Sequence, residues 1–335
     1  MHKKLRRGYT TGVHALLALC SALDVFLRVG GVVVSKTNKM DNDDLDVTKG
    51  AEIVVTLSED FSSLDLNPHP QTPFIFGRVK IFAGVGVGVV TKDGLKVPKG
   101  YPAINPTPLK AIRNCLEIFK SKREIFCTLS VTDGELLAKQ TANSKVGVVG
   151  GLSILGTSGF VKPVSNVAFL ESIRAEISVA LAEGYENIVL TLGNSSLKVA
   201  QERFEQTQII EIGNFIHDAI SIAKEEGAKS VTLILGSAKA LKVAQGFKNT
   251  HNRFGEIDFE ALKLDIRKQW GVEIDTKSTK TLKGVLEQLQ KVALESKLKD
   301  FIKQKAEEQI REWFGDFVVE VRETISSPHR ISKHQ

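Results

Sequence analysis

Apolar and polar positions follow two different rhythms along the chain. From Val13 to Arg28 the apolar residues recur at helical spacing, which predicts one amphipathic helix over 13–28. Short β-branched stretches follow. Val29–Val34 and Ala51–Leu57 read as strands, the second with strict alternation. Arg78–Ala83 and Gly88–Thr91 flank Gly84-Val85-Gly86-Val87-Gly88, which reads as a tight hairpin. Pro98, Pro102, Pro106 and Pro108 mark an extended segment leading into a helix from about Pro108 to Lys120. Strands outnumber helices here, so an α+β layer is expected.

From Val146 the rhythm becomes apolar run, glycine, helix. Val146–Val149 ends in Gly150-Gly151, and a helix over Val167–Glu183 follows with Ser165 as N-cap. Asn187–Leu192 ends in Gly193. Gln208–Ile212 ends in Gly213 before a helix through Glu226, and Ser230–Leu235 ends in Gly236 before a helix through Gly246. This repetition predicts a parallel sheet covered on both faces. Beyond Phe254 the chain reads as charged helix, over Ile257–Trp270 and Thr279–Trp313, with a frayed tail at 324–335. The expected domains are 1–145, 146–256 and a helical extension 257–335. The extension either packs on the first domain, supports a homo-oligomer, or is a solvated face.

In a parallel sheet the turns after the strands share one edge, and ligands bind there where strand order reverses. Glycine admits close backbone approach, and helix N-termini offer free N–H groups with partial positive charge. The edge built from 150–159, 193–196, 213–214 and 236–239 is therefore the expected site. Ordinary αβ connectors would use the same glycines.

Composition narrows the function classes. The 335 residues carry 45 Lys plus Arg and 39 Asp plus Glu, a net charge of +6, with 42% hydrophobic and 25% charged residues. Disordered, collagen-like and disulfide-scaffold chains are excluded. Cys20, Cys115 and Cys127 have no paired spacing, which argues against zinc or iron–sulfur sites and favours a reducing cytoplasm. No Lys/Arg run exceeds two residues, so no nucleic-acid partner is expected. Lys3, Lys4, Arg6 and Arg7 before Val13–Phe26 imitate a secretory signal, but no cleavage site follows, and the stretch reads as part of the mature fold. No segment is apolar and uncharged over about 20 residues, so no membrane partner is expected. Walker A, G-x-S-x-G, H-E-x-x-H and G-x-G-x-x-G before a helix are all missing, and the seven histidines lack metal-ligand spacing. No bound metal is expected.

Six collinear segments together resemble one family. They are LRRGYTTGVHA (5–15), DNDDLDVTKGAEIVV (41–55), GVGVGVVTKDGLKVPKGYPAINPTPLKAI (84–112), VGVVGGLSILGTSGFVKPVS (146–165), IGNFIHDAI (212–220) and LKVAQGFKNTHNR (241–253). The family is that of cobalt-precorrin-5B C1-methyltransferases. The resemblance implies methyl transfer from S-adenosylmethionine to C1 of cobalt-precorrin-5B, giving cobalt-precorrin-6A in anaerobic cobalamin biosynthesis. It also implies an N-terminal α+β two-layer domain and a C-terminal Rossmann-like doubly wound α/β domain. A corrinoid-intermediate binding protein with altered catalysis is the alternative.

Such a substrate carries many carboxylates, and two anion sites are expected for it. One is Arg7, Thr10 and Thr11 at the start of the 13–28 helix, where a plain N-cap is the competing reading. The other is Lys239, Lys242 and Thr250 with His251, where a solvated basic helix face competes. The methyl donor is expected at Gly150, Gly151, Gly156, Thr157, Ser158, Gly193, Asn194 and Asn214, where turn chemistry alone competes. Asp43 and Asp44 read first as a turn. The resemblance adds a catalytic role for them, and His251 is a further catalytic candidate. The chain departs from the family pattern at His14 (usually Cys), Leu45 (usually Pro), Lys49 (usually His), Ser195-Ser196 (usually Tyr-Gly) and Asn252 (usually Ser). It also lacks a usual histidine and glycine at 236–239.

Overall fold

A computed structural model describes residues 6–43, 47–119, 121–156, 159–161, 166–276 and 279–324. The chain divides into two units, Met1–Ala175 and Glu176–Gln335, and the fold is mixed α/β.

In the first unit, helix α1 (Thr11–Val29) starts where extended Thr10 accepts the Val13 N–H through its hydroxyl, and it stops at Gly30, whose φ of 67° no β-carbon favours. Ala15, Ala18, Leu19, Ala22, Leu23 and Phe26 are at most 1% exposed. They pack on a five-stranded sheet made of β1 (Val32–Asn38), β2 (Glu52–Ser58), β3 (Phe74–Phe76), β4 (Val79–Ala83) and β5 (Ile125–Val131), in the order β1-β2-β5-β4-β3. Side chains alternate across a strand, so one face of the sheet carries the core. Leu57, Cys127 and Ile81 lie side by side in register, as do Val55, Leu129 and Ala83, and all six are fully buried. Helix α2 (Pro106–Phe119) adds Ile112, Cys115 and Leu116 to the same core. By length and composition α1 is apolar enough to cross a membrane, and it carries Asp24 and Arg28. Burial of its inner face in this core accounts for that apolarity.

Two expectations change here. Gly84–Gly88 is not a hairpin: Gly86–Val87 pairs in parallel with Gly151–Leu152, and Val89–Val90 pairs antiparallel with Val148–Val149. Val146–Val149 therefore does not begin the parallel sheet, and the expected boundary at 145/146 would part Val148–Val149 from its partner Val89–Val90. A short valine run before a double glycine fits either arrangement, and pairing about 60 residues back along the chain decides it. Gly8–Tyr9 likewise pairs with Phe160–Val161.

Helix α3 (Asn166–Ala182) precedes a sheet that belongs wholly to the second unit. Its strands are β6 (Asn187–Thr191), β7 (Ile209–Glu211), β8 (Ser230–Leu235) and β9 (Val318–Glu323), all parallel, in the order β7-β6-β8-β9. Ile188, Val189 and Leu190 are consecutive and fully buried, the mark of a strand covered on both faces. Helix α4 (Asn194–Gln201) links β6 to β7, α5 (Ile216–Glu225) links β7 to β8, and α6 (Ser237–Ala244) follows β8.

The segment 257–335 is not purely helical. After α7 (Phe259–Trp270), the expected Thr279–Trp313 helix is divided into α8 (Leu282–Gln290) and α9 (Glu295–Phe314), with Ala293 between them at φ 58°. Leu298, Ile302, Ala306, Ile310 and Phe314 form a buried stripe at four-residue spacing along α9, which packs against α6. The chain then returns to the sheet as β9. Alternating Val and charged residues hid this strand; Val321 alone among its six residues is fully buried, as befits an edge.

Candidate functional site

The chain leaves β6 toward one side of the second unit's sheet and returns as β8 on the other, so strand order reverses between them. A crevice at their carboxyl ends is the expected ligand position in such a sheet. Gly193 enters α4 at φ 81°, and a β-carbon there would meet nothing within 4 Å among the described residues. Gly236 enters α6. Neither α4 nor α6 has a side-chain N-cap bond, which leaves their leading N–H groups to a ligand or water.

Glu323 ends β9 at the same edge, directly beside Leu235. The Ser237 hydroxyl donates to its Oε2 at 3.1 Å. Its Oε1 is buried and has no hydrogen-bond partner among the described residues. Burial raises the Glu323 carboxyl above the usual range, and the Ser237 bond opposes this without cancelling it. Sequence reading missed Glu323 because its strand lies in the stretch read as helix and tail.

Asn214, Lys239, Lys242 and Thr250 come together as expected, but largely to bind one another. Asn214 Oδ1 accepts from Lys239 Nζ and from the Thr250 hydroxyl, each at 3.0 Å. Lys239 also donates to the Thr250 carbonyl at 2.9 Å. Burial, then the charge of Lys242, lowers its ammonium below the ordinary range. Lys242, 5% exposed, donates to the Thr250 and Gly255 carbonyls and to Asn252 Oδ1 at 3.3, 2.8 and 2.9 Å. An ammonium has three donors, and all three of its N–H groups are occupied inside the protein. Lys242 therefore anchors the 250–255 loop, in place of the expected carboxylate contact. His251 is exposed, and its Nδ1 accepts the Arg253 N–H at 3.1 Å, which caps a short turn.

In the first unit, Thr10 and Thr11 also bind within the protein. Thr10 caps α1, and its N–H donates to Gly159 O at 3.0 Å. The Thr11 hydroxyl accepts the Leu155 N–H at 2.8 Å and donates to the Leu155 carbonyl at 3.3 Å, while Gly12 N–H donates to the same carbonyl at 2.8 Å. The expected anion site at this helix start is thus filled by the backbone groups of Leu155 and Gly159.

The glycines nearby are explained by packing. A β-carbon on Gly150 would lie 2.4 Å from Asn67 Nδ2, on Gly151 2.3 Å from the Gly86 backbone, and on Gly156 2.3 Å from the Thr10 hydroxyl. Asp43 accepts from the Arg6 N–H at 2.7 Å and from its guanidinium at 3.0 and 3.1 Å, which ties the N-terminal strand to the acidic loop. Arg7 is exposed. Asp44, Thr157 and Ser158 lie outside the described residues.

His14 is a further candidate that the sequence flagged only as a departure. It is 5% exposed; its Nε2 accepts the Met40 N–H at 3.3 Å, and its Nδ1 has no partner among the described residues. Burial, then nearby Lys39, lowers its pKa below the ordinary 6.5, so the ring is neutral and Nδ1 carries the proton as a buried donor.

A cleft of about 440 Å³ opens between β3 and α2. Phe74, Phe76 and Leu109 supply apolar lining, and Lys96, Lys110 and Arg113 stand at it as cations. Arg113 pairs with Glu117 and Lys96 with Glu171, all well exposed, so both cations can exchange partners at little cost. The mixture suits a flat apolar molecule with carboxylate substituents.

A family model described as CbiD matches residues 23–163. A protein named cobalt-precorrin-5B C(1)-methyltransferase from Methanococcus maripaludis (strain C5) is 37% identical over 238 residues, covering 70% of this chain and 63% of that protein. The chain thus spans slightly less than two thirds of that relative's length. A protein of the same name from Methanocaldococcus jannaschii is 35% identical over 290 residues, covering 78% of this chain and 76% of that one. A crystal structure titled cobalamin biosynthesis protein (cbiD) from Archaeoglobus fulgidus is 24% identical, with a TM-score of 0.35 over 79% of this chain and 84% of that one.

Proposed function

The chain belongs to the CbiD family, and from that premise we propose that it transfers a methyl group from S-adenosylmethionine to C1 of cobalt-precorrin-5B in cobalamin biosynthesis. The observation that carries this reading is the likeness over 290 residues to a relative bearing that name. We read the second unit as a Rossmann-like, doubly wound domain that holds the donor at the carboxyl ends of β6 and β8.

The residues at that edge fit the donor. The orphaned Glu323 Oε1 can accept hydrogen bonds from the ribose hydroxyls or the ammonium group. Uncapped N–H groups at Asn194 and Ser237 suit the donor's carboxylate, and Gly193 leaves open space for the adenosine. Bound there, the sulfonium supplies an already activated methyl group. The protein's own task is then alignment and exclusion of water, and alignment contributes about 7–11 kcal/mol to such reactions.

The tetrapyrrole, with its cobalt, is substrate. Lys96, Lys110 and Arg113 would hold its carboxylates while the aromatic lining of the cleft takes a ring face. Asp43 stays our candidate for handling the ring proton, and to it we add His14 Nδ1, a buried donor on the same unit.

Calorimetric titration of the purified chain with S-adenosylmethionine tests the reading. Saturable binding at one site per chain is expected. A chain that binds the tetrapyrrole and gives no heat with the donor would instead be a corrinoid-binding protein, the reading that the departures at His14, Ser195 and Ser196 would then explain.

A further inference from the structure

We infer that Cys20 and Cys115 are an oxidation site, forming a disulfide that staples α1 to α2 when the protein meets a low-molecular-weight disulfide such as oxidised glutathione. Both thiols are free. Their sulfurs lie 2.7 Å apart although 95 residues separate them in sequence. A disulfide bond is about 2.05 Å long, so closure needs a displacement of roughly 0.7 Å, within the play of two side chains.

The backbone is already arranged for it. Gly12 lets α1 approach α2 so closely that a β-carbon there would sit 2.7 Å from Pro108 Cβ. Ala15, Ala18 and Ala22 continue the small, buried residues of α1. From the Gly12–Pro108 contact to the Cys20–Cys115 contact, the chain advances eight residues on α1 and seven on α2. At 1.5 Å per residue these are about 12 and 10.5 Å. The helices therefore run side by side in the same direction, and one bond midway would fix their register.

The two sulfurs have different parts. Cys20 is half-buried and Cys115 is buried, so Cys20 meets the reagent first. Its thiolate attacks one glutathione sulfur, forming a mixed disulfide and expelling one glutathione thiolate. Cys115 then gives its proton to that thiolate and attacks the Cys20 sulfur, and the second glutathione leaves as a thiolate that takes up the proton lost by Cys20. Two protein thiols are oxidised and one glutathione disulfide is reduced to two thiols. Burial, then contact with Cys20, pushes the Cys115 thiol up to about 12, which makes the second step the slower one. Cys127 is fully buried in β5 and its thiol is likewise pushed up to about 12 by burial. It serves as an internal control.

Incubation of the full chain with oxidised glutathione, followed by thiol counting in denaturant, tests this. The count should fall from three to one. Peptide mass mapping should find the Cys20 and Cys115 peptides joined, less two hydrogens. Thermal unfolding should shift upward by roughly 5–10 °C, as expected for a long closed loop, and a dithiol reductant should reverse it. Cys20→Ser should keep its two remaining thiols. Three persisting thiols, a stable glutathione adduct on Cys20, or a link to Cys127 would each overturn the inference.

Discussion

Gly86→Ala should destabilise the first unit by about 2–5 kcal/mol, a large part of the roughly 5–15 kcal/mol that holds a typical domain folded. A β-carbon on Gly86 would lie 2.0 Å from the Val131 carbonyl and 3.1 Å from the Gly134 backbone, with φ at +78°. The left-handed conformation costs alanine about 1–2 kcal/mol, and overpacking adds about 1–3 kcal/mol. The clash is with backbone, which has no rotamer to change. A β-carbon on Gly134 or on Gly151 would likewise come within 2.3 Å of the Gly86 backbone. Three chain segments therefore converge on this point, and the Gly151–Leu152 strand, from which the chain runs on to the Thr11–Leu155 contact, depends on it. Urea unfolding followed by circular dichroism reads the effect. A midpoint within 1 kcal/mol of the parent would mean the three backbones are not packed as described.

Glu323→Ala should weaken S-adenosylmethionine binding by about 100-fold, since hydrogen bonds to a charged group contribute about 1.5–3 kcal/mol each. Glu323→Gln keeps the shape and one acceptor and should lose roughly 10-fold. The same variant should gain stability at neutral pH. Burial raises the Glu323 carboxyl in the folded protein, so the folded state resists its ionisation. The resulting penalty is absent at pH values below the unfolded carboxylate's pKa and grows as pH rises toward the folded value. Thermal melts should therefore show Glu323→Gln above the parent at pH 7 and level with it in acid. Loss of stability at pH 7 with unchanged donor affinity would make Glu323 a structural residue. Weaker binding in a more stable protein is the pattern of a group kept for function.

How far the sequence could be read followed the range of the interactions. Helix α1 and strands β6, β7 and β8 were legible because local pattern decides them: an apolar face at helical spacing, and apolar runs closed by Gly193, Gly213 and Gly236. Val148–Val149 was not, because its partner is Val89–Val90 and nothing local separates that pairing from a place in the parallel sheet. Strand β9 hid for a related reason. Its Glu320 and Arg322 pair with each other on an edge, so the segment looks like the charged helices before it.

The candidate site divides along the same line. The glycines at 193 and 236 follow β6 and β8 directly, where the local pattern put them. Gly150, Gly151 and Gly156 look identical in sequence, but their lack of a side chain admits Asn67, Gly86 and Thr10. Lys242 and Thr11 carry the right chemistry for anions, yet the backbone groups that occupy them come from Gly255 and Leu155, and no spacing rule connects those residues. Glu323 could be found only after β9 was placed beside β8.

Anaerobic incubation of the purified chain with cobalt-precorrin-5B and methyl-labelled S-adenosylmethionine puts the reaction itself to the test. The tetrapyrrole should gain one labelled methyl group, located at C1 by nuclear magnetic resonance, and Glu323→Ala should slow that gain at limiting donor. A folded chain that binds both molecules and returns the tetrapyrrole unmethylated would contradict the account.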